Sequence, residues 1–204
     1  MGNAAKKIDS KNNKIQELKD LIRNSSKTTL EEKIKNLKID LQEAEDKSLL
    51  KYDHWISNIK IKASIIQIVF RVHFFTKDAK VLCKDSLGKS NPEITHKIAH
   101  DFIQEYSNLT SGTIERGLVN SGIDLEKFDL AVHLPEKSPS YDEVNLDKEL
   151  KSNKFADCWK LSFNSGDIFC VSEILISDFD ALSKLKEIGA TTLSVTDSGD
   201  VEFL

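Results

Sequence analysis

Cysteine, proline, glycine and methionine are all sparse in this 204-residue chain: three Cys, three Pro, eight Gly and one Met. The cysteines, Cys83, Cys158 and Cys170, are odd in number and widely spaced, so no disulfide framework is expected and a reducing compartment is. So few prolines and glycines exclude a collagen-like or low-complexity chain. Long hydrophobic runs are missing as well. The most apolar stretch, residues 63–75, is interrupted by Gln67, Arg71 and His73, whereas a membrane span needs about 20 apolar residues. The first residues lack the apolar run of a signal peptide, and the expectation is a cytoplasmic protein with no membrane segment.

Positive charge is not in excess. Lys and Arg number 29 against 33 Asp and Glu, for a formal net charge of −4. The imbalance is local: residues 1–62 carry 14 basic against 10 acidic side chains, and residues 63–204 carry 15 against 23. An acidic C-terminal part argues against nucleic acid as its partner. The small basic group Lys6, Lys7, Lys11 and Lys14 has no interleaved aromatics and reads as a solubilising tail. Catalytic motifs are also absent. No Gly-x-Ser-x-Gly elbow occurs, and Gly88-Lys89-Ser90 is not a phosphate loop, because Cys83 stands where the first glycine would be.

What the chain does contain is a change of periodicity. Hydrophobic residues make up 39% of it, enough to build a core. After an arm at residues 1–9 expected to be disordered, Ile15, Leu18 and Ile22 are spaced as one face of a helix. Asn24-Ser25-Ser26 then predicts a break, and Thr28 with Glu31, or Thr29 with Glu32, predicts a new cap. Leu30, Ile34, Leu37, Leu41 and Ala44 step by four and three, which predicts a second helix with a coiled-coil seam. Residues 10–60 therefore read as a helical hairpin or coiled-coil arm.

From Ile66 the pattern changes to alternation: Ile66, Ile68, Phe70, Val72 and Phe74 with polar residues between them predict a strand. A buried helix over residues 65–75 is the rival reading, since Ile65, Val69 and Phe75 dilute the alternation. Residues 79–83 read as a second short strand. Asn91-Pro92 reads as a helix start, with Ile94, Ile98, Phe102 and Tyr106 on its apolar face, and a further short helix is expected around residues 113–120. A strand is expected at residues 128–134, a mobile loop at 135–154 with a possible short helix at 142–151, and a strand with Phe155, Trp159, Leu161 and Phe163 on one face. A second strand over 168–176, a helix capped by Ser177 or Asp178, and a terminal hairpin over 193–204 complete the expectation. The fold class is α+β, with residues 61–204 forming a mixed or antiparallel sheet with packed helices. No internal repeat is visible.

The chemistry-bearing candidates are few. His96 and His100 stand four apart, a spacing that places two imidazoles within reach of one metal ion. Both lie off the apolar face of their helix, and no Glu follows His96 to complete a zinc-hydrolase motif, so two solvated histidines are the plainer reading. Asp129, Asp167, Glu173 and the Glu149-Leu150-Lys151 triplet are raw material for a nuclease, and unremarkable in a chain with 33 acids. No cofactor is expected. The seam Ile15, Leu18, Ile22, Leu30, Ile34, Leu37 and Leu41 needs a covering surface. It points to a non-enzymatic assembly subunit that pairs with itself or with a protein partner. Two other readings compete: a small-molecule-sensing regulatory module, and a metal-dependent hydrolase or nuclease using His96 and His100.

Overall fold

The alternating run from Ile66 forms a strand, and the rest of the molecule is arranged around it. The computed structural model describes residues 2–34, 37–44, 54–87, 93–125, 133–137, 153–164 and 166–188. A long helix, α1 (Gly2–Lys33), precedes three strands, β1 (Asp40–Glu43), β2 (Trp55–Lys62) and β3 (Ile66–Phe74), and a helix, α2 (Thr76–Leu87). A second long helix, α3 (His96–Asn120), precedes β4 (His133–Lys137), β5 (Lys154–Phe163), β6 (Gly166–Ile176) and a single turn, α4 (Phe179–Leu182). The six strands form one sheet in the order β1-β5-β6-β3-β2-β4, and every pairing is antiparallel.

That order contains a repeat which the sequence hides. Each half runs helix, three strands, helix. Exchanging the halves, β1 with β4, β2 with β5 and β3 with β6, returns the same sheet read backwards. The fold therefore has a topological two-fold between β3 and β6, where Phe70 pairs with Ser172 and Arg71 with Val171.

The core lies between α1, α3 and one sheet face. Ile66, Ile68, Phe70, Val72 and Phe74 on β3 are buried there, together with Trp159 and Leu161 on β5. The rival helix reading for residues 65–75 is thereby set aside. Phe155, Trp159, Leu161 and Phe163 share one face of β5 as expected, although Phe155 is only partly buried.

The helical arm needs correction. The described part of residues 10–60 holds one helix and two strands, with α1 continuous through Asn24-Ser25-Ser26. Ser26 survives inside the helix because partners within and beyond the helix satisfy it. The Ser26 hydroxyl donates to the Arg23 carbonyl (2.7 Å) and accepts the Trp159 indole N–H (2.9 Å), while the Ser26 carbonyl accepts the Tyr106 hydroxyl (2.9 Å). Ile15, Leu18, Ile22, Leu30, Ile34 and Leu37 are buried within the chain's own core, and Leu41 packs partly against it from β1. Three-and-four spacing marks any amphipathic helix. Here the covering surface is the sheet of the same chain, so the seam is not left for a second copy.

Two further elements differ from expectation. Residues 79–83 lie in α2, where Ala79, Leu82 and Cys83 bury at helical rather than alternating spacing. The cap of α3 is Thr95, whose side chain accepts from the Ile98 N–H (3.3 Å), and the helix continues unbroken through residues 113–120. Gly122, with φ of 93°, ends it. Asp178 caps α4 as expected, but only one turn follows. The Gly88-Lys89-Ser90 turn, Asn91-Pro92, the short helix at 142–151 and the terminal hairpin at 193–204 lie outside the described residues.

Candidate functional site

Helix α3 is long enough to have two independent faces. Ala99, Phe102, Ile103, Tyr106, Ile114 and Leu118 are buried toward α1 and the sheet. On its outer side, at helical spacing, run Ile98 (expected on the apolar face but exposed here), Asp101, Glu105, Asn108, Leu109, Gly112, Arg116 and Val119. Three of these are large apolar side chains left in solvent: Ile98 at 38%, Leu109 at 47% and Val119 at 49% exposure. Among the described residues only Leu87, at the end of α2, is comparably exposed. An exposed apolar series alternating with polar groups along one helix is the composition of a docking surface.

The polar groups of the stripe are charge-matched. Asp101 pairs with Lys97 one turn before it, at 3.2 Å. Glu105 is paired from another element: Lys33, the last residue of α1, places its Nζ 2.9 Å from Oε1 of Glu105. One turn on, the side-chain oxygen of Asn108 is buried and has no hydrogen-bond partner. A buried carboxamide oxygen without a donor is costly and calls for an explanation. Gly112 follows, and a Cβ built there would meet nothing within 4 Å. The chain's own packing does not require that glycine, and its effect is to leave helix backbone bare to an approaching surface.

The topological counterpart of α3 is α1, and its outer face differs in kind. Asn13, Gln16, Asp20 and Asn24 are exposed there, and none is apolar. The two-fold therefore relates a wholly polar face to a mixed one.

The histidine pair predicted from spacing is not brought into a common site. His96 is exposed, whereas His100 is half-buried between Trp55 and Phe74, with its Nε2 3.0 Å from the Thr76 hydroxyl. Burial, and then the charge of His96, hold the His100 pKa below its ordinary value. No third His, Cys, Asp or Glu joins them among the described residues. Glu173, raw material for a nuclease, is instead engaged by Arg71 (2.6 Å) and Lys154 (2.5 Å) on the sheet. Asp129 and the Glu149-Leu150-Lys151 triplet lie outside the described residues. Cys170 is buried, while Cys158 is only partly so, because it faces the sheet side opposite the core.

Sequence reasoning missed Glu105 and Asn108. The one available signal was a surplus of apolar residues on α3: Leu109 and Val119 fall outside the face made by Phe102 and Tyr106.

No protein-family model matches the sequence, and no curated protein does. Solved structures do match the fold. The chemotaxis protein CheX from Vibrio vulnificus superposes with a TM-score of 0.53 at 16% identity, covering 77% of this chain and 95% of that one. CheX from Desulfovibrio desulfuricans gives 0.52 at 13% identity, covering 78% and 99%. A complex of CheX, CheY, BeF3 and Mg2+ from Borrelia burgdorferi gives 0.51 at 12% identity, covering 80% and 97%. At such identities the likeness is one of fold: this chain has the mixed helix and antiparallel-sheet architecture of the CheX-type chemotaxis proteins.

Proposed function

We propose that this chain docks a phosphoryl-bearing protein of the CheY type on the outer face of α3 and promotes loss of the phosphoryl group as inorganic phosphate. The observation that carries the reading is the stripe itself. Glu105 and Asn108, whose side-chain oxygen has no hydrogen-bond partner, lie between the exposed Ile98 and Leu109 along α3, on a fold that in one solved case is in complex with CheY, BeF3 and Mg2+. Trifluoroberyllate is a chemical stand-in for a phosphoryl group, so a partner in that state resembles a phosphorylated protein.

Phosphoryl transfer to water asks little covalent chemistry of an enzyme. It needs an oriented nucleophile and neutralised oxygens, and a carboxamide is one known means of orienting the water. Asn108 brings a carboxamide to this helix; its oxygen, buried and without a donor in the unbound chain, reaches the water once the side chain turns outward on docking. Water attacks phosphorus, the bond from phosphorus to the partner's side-chain oxygen breaks, and the partner recovers its unmodified side chain. Mg2+ and the phosphoryl group arrive with the partner, and the described residues of this chain offer no cluster of three metal ligands. Glu105 can only accept hydrogen bonds when ionised, and like charge keeps it from phosphoryl oxygens. Its place is against a cation of the partner. Leu109, Ile98 and the bare backbone at Gly112 supply the apolar and close-approach parts of the contact.

Such a protein would act in the cytoplasm through a partner surface and not as a self-paired coiled coil. No helix among the described residues is long and apolar enough to cross a membrane. The test uses a CheY-type protein phosphorylated by a small-molecule donor in Mg2+, with decay of the phosphoryl group followed with and without the chain. Acceleration is expected, with Asn108→Ala losing about 100-fold or more of it at unchanged affinity, in the range seen for single acid–base or positioning groups. Leu109→Asp should abolish binding while leaving the fold intact. No acceleration and no binding by the wild-type chain would overturn the proposal.

A further inference from the structure

Lys33 is a residue of the first half of the chain whose side chain ends at the site of the second. Its stem and ammonium group are 15% exposed, against 63% for the Glu105 side chain it meets. The ammonium also lies over the Phe102 ring, 5.0 Å from its centroid, and the Lys33 carbonyl accepts from the Ser86 hydroxyl of α2 (3.1 Å). Helix end, ring and ion pair together fix where the cation stands. Glu105, by contrast, is an exposed side chain on a helix surface and would sample several rotamers if left alone.

We infer that Lys33 is a positioning residue for Glu105, holding one carboxylate oxygen so that the other is presented to the partner. This rests on the α3 reading above and adds to it a contribution from α1. Two physical effects work in the same direction. Fixing the carboxylate removes ordering cost from the docking step. Matching its charge also lowers the repulsion between the acidic stripe and an incoming phosphoryl anion, as Lys97 does for Asp101. The arrangement also explains why a lysine at the very end of α1 is largely shielded, where most lysines snorkel into solvent.

The inference is tested with the full chain and the phosphorylated CheY-type protein, reading kcat and KM separately. Lys33→Met keeps the stem over Phe102 and loses the charge. It is expected to raise KM about fivefold, the size of a single exposed ion pair, with kcat unchanged. Lys33→Arg should restore the wild-type KM. Glu105→Gln should raise KM at least as much as Lys33→Met, because it also removes the carboxylate that meets the partner, and the double variant should lose no more than Glu105→Gln alone, because Lys33 acts through that contact. A purely structural lysine would lower the unfolding midpoint without this non-additivity, so the midpoint of each variant is measured alongside. A wild-type KM in Lys33→Met, or losses that simply add, would overturn the inference and leave the α3 reading in place. Absence of any acceleration by the wild-type chain would remove both.

Discussion

His73 shows what a single buried side chain can impose. It lies on β3 at 1% exposure, on the sheet side away from α3, with its Nδ1 2.8 Å from Nε2 of His54. Burial first, and then the charges of His54 and Arg71, pull its pKa down to about 3 from 6.5. The folded chain therefore keeps this imidazole neutral where the unfolded chain would protonate it. Between those two values the unfolded state binds the extra proton, so stability must fall as pH falls through that window. The slope is about 1.4 kcal/mol per pH unit while the difference is a full proton. Urea titrations at successive pH values should show this slope, and His73→Gln should flatten it. An unchanged slope in the variant would place the acid sensitivity elsewhere. The same sheet side carries Arg71, Glu173 and Lys154 as a paired set. Across the molecule Arg23 reaches from α1 to Asp157 with two contacts of 2.6 Å and also meets Glu43, which raises the Arg23 pKa and lowers that of Glu43.

Among the elements, α1 and α3 decide both the packing and the site. They are in close contact where Gly117 faces Leu21: a Cβ at Gly117 would lie 2.5 Å from Leu21 Cδ1. Gly117→Ala replaces glycine by a better helix former and needs only that side chain to turn. Gly117→Val adds branched bulk that α1 must move to accept, and should cost about 1–3 kcal/mol, measured by chemical denaturation. A neutral Gly117→Val would show the helices less tightly held than their geometry implies. Three strands were legible in the sequence, since β3, β5 and β6 fall where strands were read, whereas β1 and most of β2 lie in residues read as a helical arm. The two long helices were only half legible. Spacing located Ile15, Leu18 and Ile22 on a buried face, but Asn24-Ser25-Ser26 read as a break, since the partners of Ser26, Tyr106 and Trp159, are distant in sequence. The site was less legible still. Glu105 and Asn108 are ordinary helix-surface residues until Lys33 and the burial of the Asn108 oxygen are known, and neither can be read from spacing.

The whole molecule is two interleaved halves. Among the described residues, β1 belongs to the first half yet pairs only with β5, and β4 belongs to the second yet pairs only with β2. Divided within residues 88–92, the chain should give two polypeptides that are each insoluble alone but assemble into one folded complex when produced together. Light scattering of the co-produced material would check this, and a soluble, folded first half on its own would refute it. The interleaving also sets a timetable for synthesis. Glu43 finds its register partner only at Trp159, more than a hundred residues later. At ~5–20 residues per second, the nascent first half waits on the order of ten seconds with that strand edge open. Until the ribosome delivers β5, the cell must keep that edge from pairing with another chain.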